Sequence, residues 1–381
     1  MPRADTDAGW FEPKYAAIAA GIIALIVYGS LYPFRFHARP GPVGPVGYLL
    51  ATCRHSMDRG DLISNILLYL PLGAFAARSF RRLSPLAGAL LAAVLGSALS
   101  AAIEITQFYD RTRVSDLCDI YANAAGASLG AAAAFFLHGV FPWISRRPFV
   151  VLLVAFWLGD QMFPYVPVFG RHPYAPLEHA FRSPRFPPFD LCAQMVFWLS
   201  AAVLIDALFG AARSRMILPV LALCVLLIRL LNAVLLPVDV AATIAAVAAW
   251  VVLSRWSWRV PLIATFLLIY TILQALQPFT FLPAPRPFGW TPFLSFIEGP
   301  RFSGTRIFLE KSFTYGALVW LWTRAGLSWT VATIAAVALE FSLRFAQTYF
   351  PGRSAEVTDA IMVLLLAVVM KLIDDSSPQL D

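Results

Sequence analysis

Two strings of polar residues interrupt an otherwise apolar sequence. The first runs Glu104-Ile-Thr-Gln107, Arg111-Thr-Arg113, Asp116-Leu-Cys-Asp119, Asn123, Gly126 and Gly130. Glu104 and Gln107, three apart, share one helical face, while Asp116, Asp119, Asn123, Gly126 and Gly130 form a stripe down the next helix. The short stretch between the two runs makes them antiparallel neighbours, so the two polar stripes are expected to face each other. Asp61 and Asn65, at the start of the preceding run, sit at the same depth with i, i+4 spacing. Carboxylates facing lipid are costly, so this cluster should turn toward protein or a wet cavity and pair with Arg111 or Arg113. Gly126 and Gly130 supply a small-xxx-small surface for close helix approach.

Four roles suit such a cluster. It can bind an anionic envelope lipid or lipid-linked glycan, with Arg111 and Arg113 on phosphate and Glu104, Gln107, Asp119 and Asn123 shaping the head-group pocket. It can act as an enzyme, with desolvated Glu104 or Asp119 as general base. It can belong to a transporter, given other intramembrane charges such as Arg229, Asp239, Glu310, Lys311 and Glu340. Or it can simply lock a helical hairpin. Five polar residues on two facing stripes exceed what a lock requires, which favours a site. No nucleophile elbow, phosphate loop or histidine–metal motif is present, so no cofactor or metal is expected. His55-x-x-Asp58-x-x-Asp61 and His172…Glu178-His179 read as solvated loop residues.

The elements that must carry these residues follow from composition. Of 381 residues, 59% are apolar and 13% charged, and mean hydropathy is +0.71. Soluble domains carry about 25% charged residues, so a soluble enzyme, a disordered chain and a disulfide scaffold are excluded. Continuous apolar runs also exclude an outer-membrane barrel, whose strands alternate polarity. The fold class is an all-α, polytopic membrane bundle of about 10–12 helices. Runs are expected near 15–34, 62–79, 84–107, 117–141, 148–166, 190–211, 216–237, 239–254, 260–279, 306–323, 326–348 and 357–373. The net charge of +7 comes from small basic groups between runs rather than from a basic face, which excludes nucleic acid as a partner. The four cysteines, Cys53, Cys118, Cys192 and Cys224, lack C-x-x-C spacing. A Cys53–Cys118 bridge is geometrically conceivable, but the cysteines read as unbridged. Trp256, Trp258, Trp320, Trp322 and Trp329 read as an interfacial belt.

The second polar string is a partial copy of the first. Gln347, Arg353, Glu356 and Asp359 stand at the same spacings as Gln107, Arg113, Asp116 and Asp119. Arg344 takes the place of Glu104, and Glu340 lies one turn earlier, where the two can form an i, i+4 pair. The turns Leu31-Tyr-Pro-Phe34, Met162-Phe-Pro-Tyr165 and Leu276-Gln-Pro-Phe279 each close an apolar run and open a long loop. Together these anchors suggest three four-helix units, 15–141, 148–254 and 260–373. The working site is expected in the first, a remnant or partner in the third and scaffold in the second. Alternate short loops (Arg78–Arg82, Arg146-Arg147, Arg213–Arg215, Arg255…Arg259, Arg324) are basic and free of acids. The positive-inside rule then puts both termini in the cytoplasm and the polar cluster on the outer side.

These residues resemble the VanZ-like family of membrane proteins. Asn65, Tyr69, Leu72-Gly73, Glu104, Gln107, Arg113, Asp116, Asp119, Asn123 and Gly126 match its pattern of a Leu-Gly helix followed by Glu-x-x-Gln, Arg, Asp-x-x-Asp, Asn and Gly. The resemblance covers nearly the whole first unit and, in partial form, residues 306–370. It implies a bacterial inner-membrane protein of the class first linked to glycopeptide-antibiotic resistance, and it supplies no reaction. A chain of three units departs from the family's single four-helix form.

Overall fold

The computed structural model describes residues 10–39, 42–52, 58–80, 82–140, 147–170 and 172–374. Among them every expected apolar run is a helix: α1 Pro13–Leu31, α2 Arg59–Ser79, α3 Pro85–Gln107, α4 Leu117–Val140, α5 Pro148–Met162, α6 Pro188–Phe209, α7 Ala211–Leu231, α8 Pro237–Leu253, α9 Arg259–Leu276, α10 Arg301–Arg324, α11 Trp329–Ala346 and α12 Thr358–Asp374. No named strand occurs among the described residues. Seven helices, α1, α2, α3, α6, α7, α9 and the stretch Trp329–Tyr349 that contains α11, are long and apolar enough to cross a membrane. Two more apolar helices, α5 and α8, are shorter. The protein is therefore a polytopic, all-α membrane protein.

Helix starts follow local chemistry. Pro13, Pro85, Pro148, Pro188 and Pro237 occupy first positions, where the missing N–H costs nothing and φ is already helical. Asp58 caps α2 by accepting from the Gly60 N–H at 2.9 Å, and Ser84 caps α3 through the Ala87 N–H at 3.2 Å. The three proline turns share one backbone geometry: Tyr32–Pro33, Phe163–Pro164 and Gln277–Pro278 are cis, and Phe34, Tyr165 and Phe279 follow with positive φ.

Two compact units are present. One is built from Met1–Arg146 with Ser295–Thr305, the other from Arg147–Leu294 with Arg306–Asp374. In the first, α2 and α4 pack backbone to backbone. A Cβ on Gly130 would lie 1.9 Å from the Leu70 carbonyl oxygen, and one on Gly73 would lie 1.9 Å from that of Ala127. The small-residue surface foreseen in the sequence is thus used, against α2. In the second unit the core is aromatic, with Trp157 and Trp198 fully buried and in edge contact at 4.7 Å. The aromatic belt needs one correction. Trp256 and Trp258 are exposed, but Trp320 is buried at 5% exposure, within the stretch 312–321 of α10 that is buried on every side.

Candidate functional site

The polar cluster of the first unit assembles where the starts of α2 and α4 meet the end of α3. Asn65 on α2 donates its Nδ2 to Asp119 Oδ1 at 2.8 Å. Asn123, one turn further along α4, donates to Ser100 Oγ on α3 at 2.9 Å, and its own Oδ1 is buried without a hydrogen-bond partner among the described residues. Glu104 accepts from the Asp116 backbone N–H at 2.8 Å, while Ser115 Oγ donates to the Glu104 carbonyl at 2.8 Å. These bonds splice the end of α3 to the start of α4. Asp116 also accepts from the Cys118 N–H at 2.9 Å, holding the first turn of α4. The Asp119 carboxylate lies within electrostatic reach of Glu104, Asp116 and Asp61.

The cation that meets this acidic group is Arg301, 3.6 Å from Asp119 Oδ2. Nothing in the local sequence announces it, because it enters from residue segment 295–305, far along the chain. Its side chain is 46% exposed and that of Asp119 only 14%, so the pair is open on the arginine side. Arg301 replaces the expected partners. Arg111 is exposed, and Arg113 is engaged elsewhere, donating to the carbonyls of Gly29 at 3.1 Å and Tyr32 at 3.2 Å. Burial, followed by the nearby Arg301 guanidinium, lowers the Arg113 pKa from its ordinary value. Gln107 is likewise turned to α1, donating to the Ser30 carbonyl at 2.9 Å. A helix end leaves its last carbonyls unbonded, and Gln107 and Arg113 satisfy those of α1. The two facing stripes expected from the spacing are therefore divided. Asp119 and Asn123 look toward α2 and α3, and Gln107 looks toward α1.

The second string has the same framework with a different charge pattern. Gln347 donates to the Ala275 carbonyl at 2.7 Å, and Arg353 donates to those of Gln277 at 2.8 Å and Gln274 at 3.0 Å. These carbonyls bear the same positions relative to Pro278 as those of Ser30, Tyr32 and Gly29 bear to Pro33. The acid at the Asp119 position, Asp359, is buried at 1% and bridged by Lys311 at 2.7 Å and by Arg344. The foreseen Glu340–Arg344 pair forms at 3.1 Å. This cluster of two acids and two cations closes on itself. Where it carries Lys311, Glu340 and Arg344, the first carries Asn65, Ser100 and Glu104.

Other candidates lack a site. Glu178 and Arg182 form a surface pair at 3.8 Å on a short helix, and His55 lies outside the described residues. Cys118 is disulfide-bonded, a correction to the reading of unbridged cysteines. Cys192 and Cys224 are free, and Cys53 lies outside the described residues.

A set of apolar helices that gathers buried carboxylates and amides at one end defines the class, a multi-pass helical membrane protein with a polar cluster at its helix ends. Residues 16–138 match the family model described as VanZ/LLP1. The matched segment, about a third of the chain, contains α2 and α3 whole and most of α1 and α4, and this part of the chain is similar to VanZ-like proteins. No curated protein and no solved structure is matched by the chain.

Proposed function

We propose that the cluster of the first unit binds the polar head of an envelope lipid or lipid-linked glycan at the outer face of a bacterial inner membrane. The carrying observation is the charge imbalance. Among the described residues, Glu104 is 3% exposed and Asp119 meets one half-exposed arginine, whereas the equivalent acid in the second string is bridged by two cations. Buried carboxylates retain a need for donors, and sugar hydroxyls or an ammonium would supply them. Arg301 and Arg111, both exposed, would meet the phosphate at the rim, a role that Arg113 gives up to α1. The disulfide at Cys118 supports an outward orientation, since disulfides persist in oxidising compartments.

The experiment is lipid profiling of purified protein by mass spectrometry for the parent and for Glu104→Gln with Asp119→Asn. The expected result is a co-purifying lipid or lipid-linked glycan that the double variant loses while remaining monodisperse. An unchanged lipid complement in a folded double variant would remove the proposal. The proximity of two carboxylates, Glu104 and Asp119, also favours a second reading, a hydrolase or transferase using them as acid and base. Turnover of the bound lipid that stops in either single variant, with binding retained, would select it.

A further inference from the structure

The second compact unit holds a separate cavity of about 520 Å³, between the ends of α5, α7, α8 and α9 and the faces of α6 and α10. Its lining residues come both from the stretch expected to be scaffold, 148–254, and from the stretch expected to carry a remnant or partner, 260–373. Its volume falls within the usual range for small-ligand sites, about 300–1,000 Å³, and its walls carry ionic groups that are only partly satisfied.

The charges sort into spent and available groups. Arg229 and Asp239 form a closed pair at 2.8 Å with side chains about 10% and 7% exposed. Asp160 receives Arg306 Nε at 3.2 Å and Gln161 Nε2 at 3.0 Å. That leaves the terminal nitrogens of Arg306, whose side chain is 46% exposed, without a hydrogen bond to the described residues. Glu310 is different in kind. Its Oε1 accepts from Gln274 at 2.9 Å and from the Tyr270 hydroxyl at 3.3 Å, but no lysine or arginine among the described residues forms an ion pair with it. Arg353 donates through Nε and one terminal nitrogen to backbone carbonyls and also lines the cavity. Phe189 and Phe197 flank Tyr270, with ring centroids 6.0 and 5.0 Å away.

The cavity thus offers a carboxylate with no ion-pair partner among the described residues, beside aromatic rings, together with the guanidinium groups of Arg306 and Arg353. Carboxylate and ring faces suit an ammonium, and arginine forks suit a phosphate. We propose that this cavity binds the head group of a zwitterionic aminophospholipid, its ammonium at Glu310 and its phosphate at Arg306 and Arg353. This site is distinct from the cluster of the first unit and does not depend on what that cluster binds. The location at helix ends, where Phe163-Pro164 and Gln277 turn out of their helices, is where a head group would lie.

Native mass spectrometry of the full chain in detergent, titrated with phosphatidylethanolamine or phosphatidylglycerol, tests the assignment. The parent is expected to prefer phosphatidylethanolamine. Glu310→Gln should cut its affinity about tenfold or more and abolish the preference, the size expected for losing one charge-assisted bond. Arg306→Gln should weaken both lipids. Ala193→Phe fills the cavity without changing a charge and should block both, which keeps the proposal testable if Glu310→Gln does not fold. Equal binding of the two lipids by the parent, or full phosphatidylethanolamine binding by Ala193→Phe, would overturn it. Soluble glycerophosphoethanolamine should compete far less well than the lipid; equal competition would overturn the assignment to a lipid.

Discussion

Gln107 and Gln347 make the same hydrogen bond. Each donates its side-chain amide to the carbonyl three residues before a cis-proline, Ser30 at 2.9 Å and Ala275 at 2.7 Å. With Arg113 and Arg353 they satisfy the last carbonyls of α1 and α9. Residue types that look suited to a ligand thus act as helix caps. The recurrence also supports the proposal that the two strings descend from one repeated bundle.

Arg113→Gln is expected to destabilise the protein rather than to abolish ligand binding. It removes two hydrogen bonds from a guanidinium to the end of α1, each worth about 1.5–3 kcal/mol at most for a charged donor. Partial exposure reduces that figure, so a net loss of roughly 1–3 kcal/mol follows. A thermal melt in detergent should show the lower midpoint, with lipid retained per folded molecule. Loss of lipid at an unchanged midpoint would return Arg113 to the binding site.

Gly130→Leu is expected to prevent assembly of the first bundle. Even a methyl group there would meet the Leu70 carbonyl oxygen at 1.9 Å, and backbone cannot yield as a flexible side chain can. Size-exclusion profiles should show aggregation or no folded yield. By contrast, Gly21→Ala has open space at its Cβ and should leave the profile unchanged. A monodisperse Gly130→Leu would mean that α2 and α4 are not in backbone contact.

Helix positions were legible because a span requires an unbroken apolar run, and all twelve runs became helices. The cluster was legible in composition, since Glu104, Asp119 and Asn123 recur at helical spacing. Its partners were not. Arg301 comes from a distant segment, and periodicity carries no information about which loop returns to a bundle. The roles of Gln107 and Arg113 also escaped, because the carbonyls they cap belong to α1 and backbone acceptors leave no trace in residue type. Glu310 and Lys311 look alike as charges interrupting an apolar run. One turned out to line a cavity and the other to bridge Asp359.

The proposed orientation places both termini in the cytoplasm and the loop between α5 and α6 outside. An alkaline phosphatase fusion within residues 175–182 should be active, and a fusion after residue 374 should be inactive. The reverse pattern would invert the topology and set the polar cluster at the inner face.

Asp119 and Asp359 hold matching positions and should respond differently to the same change. Asp359 is 1% exposed and joins Lys311 and Arg344, so Asp359→Asn leaves two cations facing one remaining acid, Glu340. Breaking a buried ionic group in this way costs about 3–5 kcal/mol, enough to erase much of the stability of a typical domain. Asp119→Asn instead removes one charge from a cluster rich in acids. The Asn65 bond survives if the new amide presents its oxygen, and Arg301 is free to hydrate at its exposed side. Its cost should stay within about 1 kcal/mol, the scale of an exposed pair, and repulsion relieved at Glu104 offsets part of it. Parallel thermal melts of the two variants should therefore separate by several degrees or more, with Asp119→Asn near the parent. Equal, large losses would identify Asp119 as a structural lock, and its cluster would then have no charge left to offer a ligand.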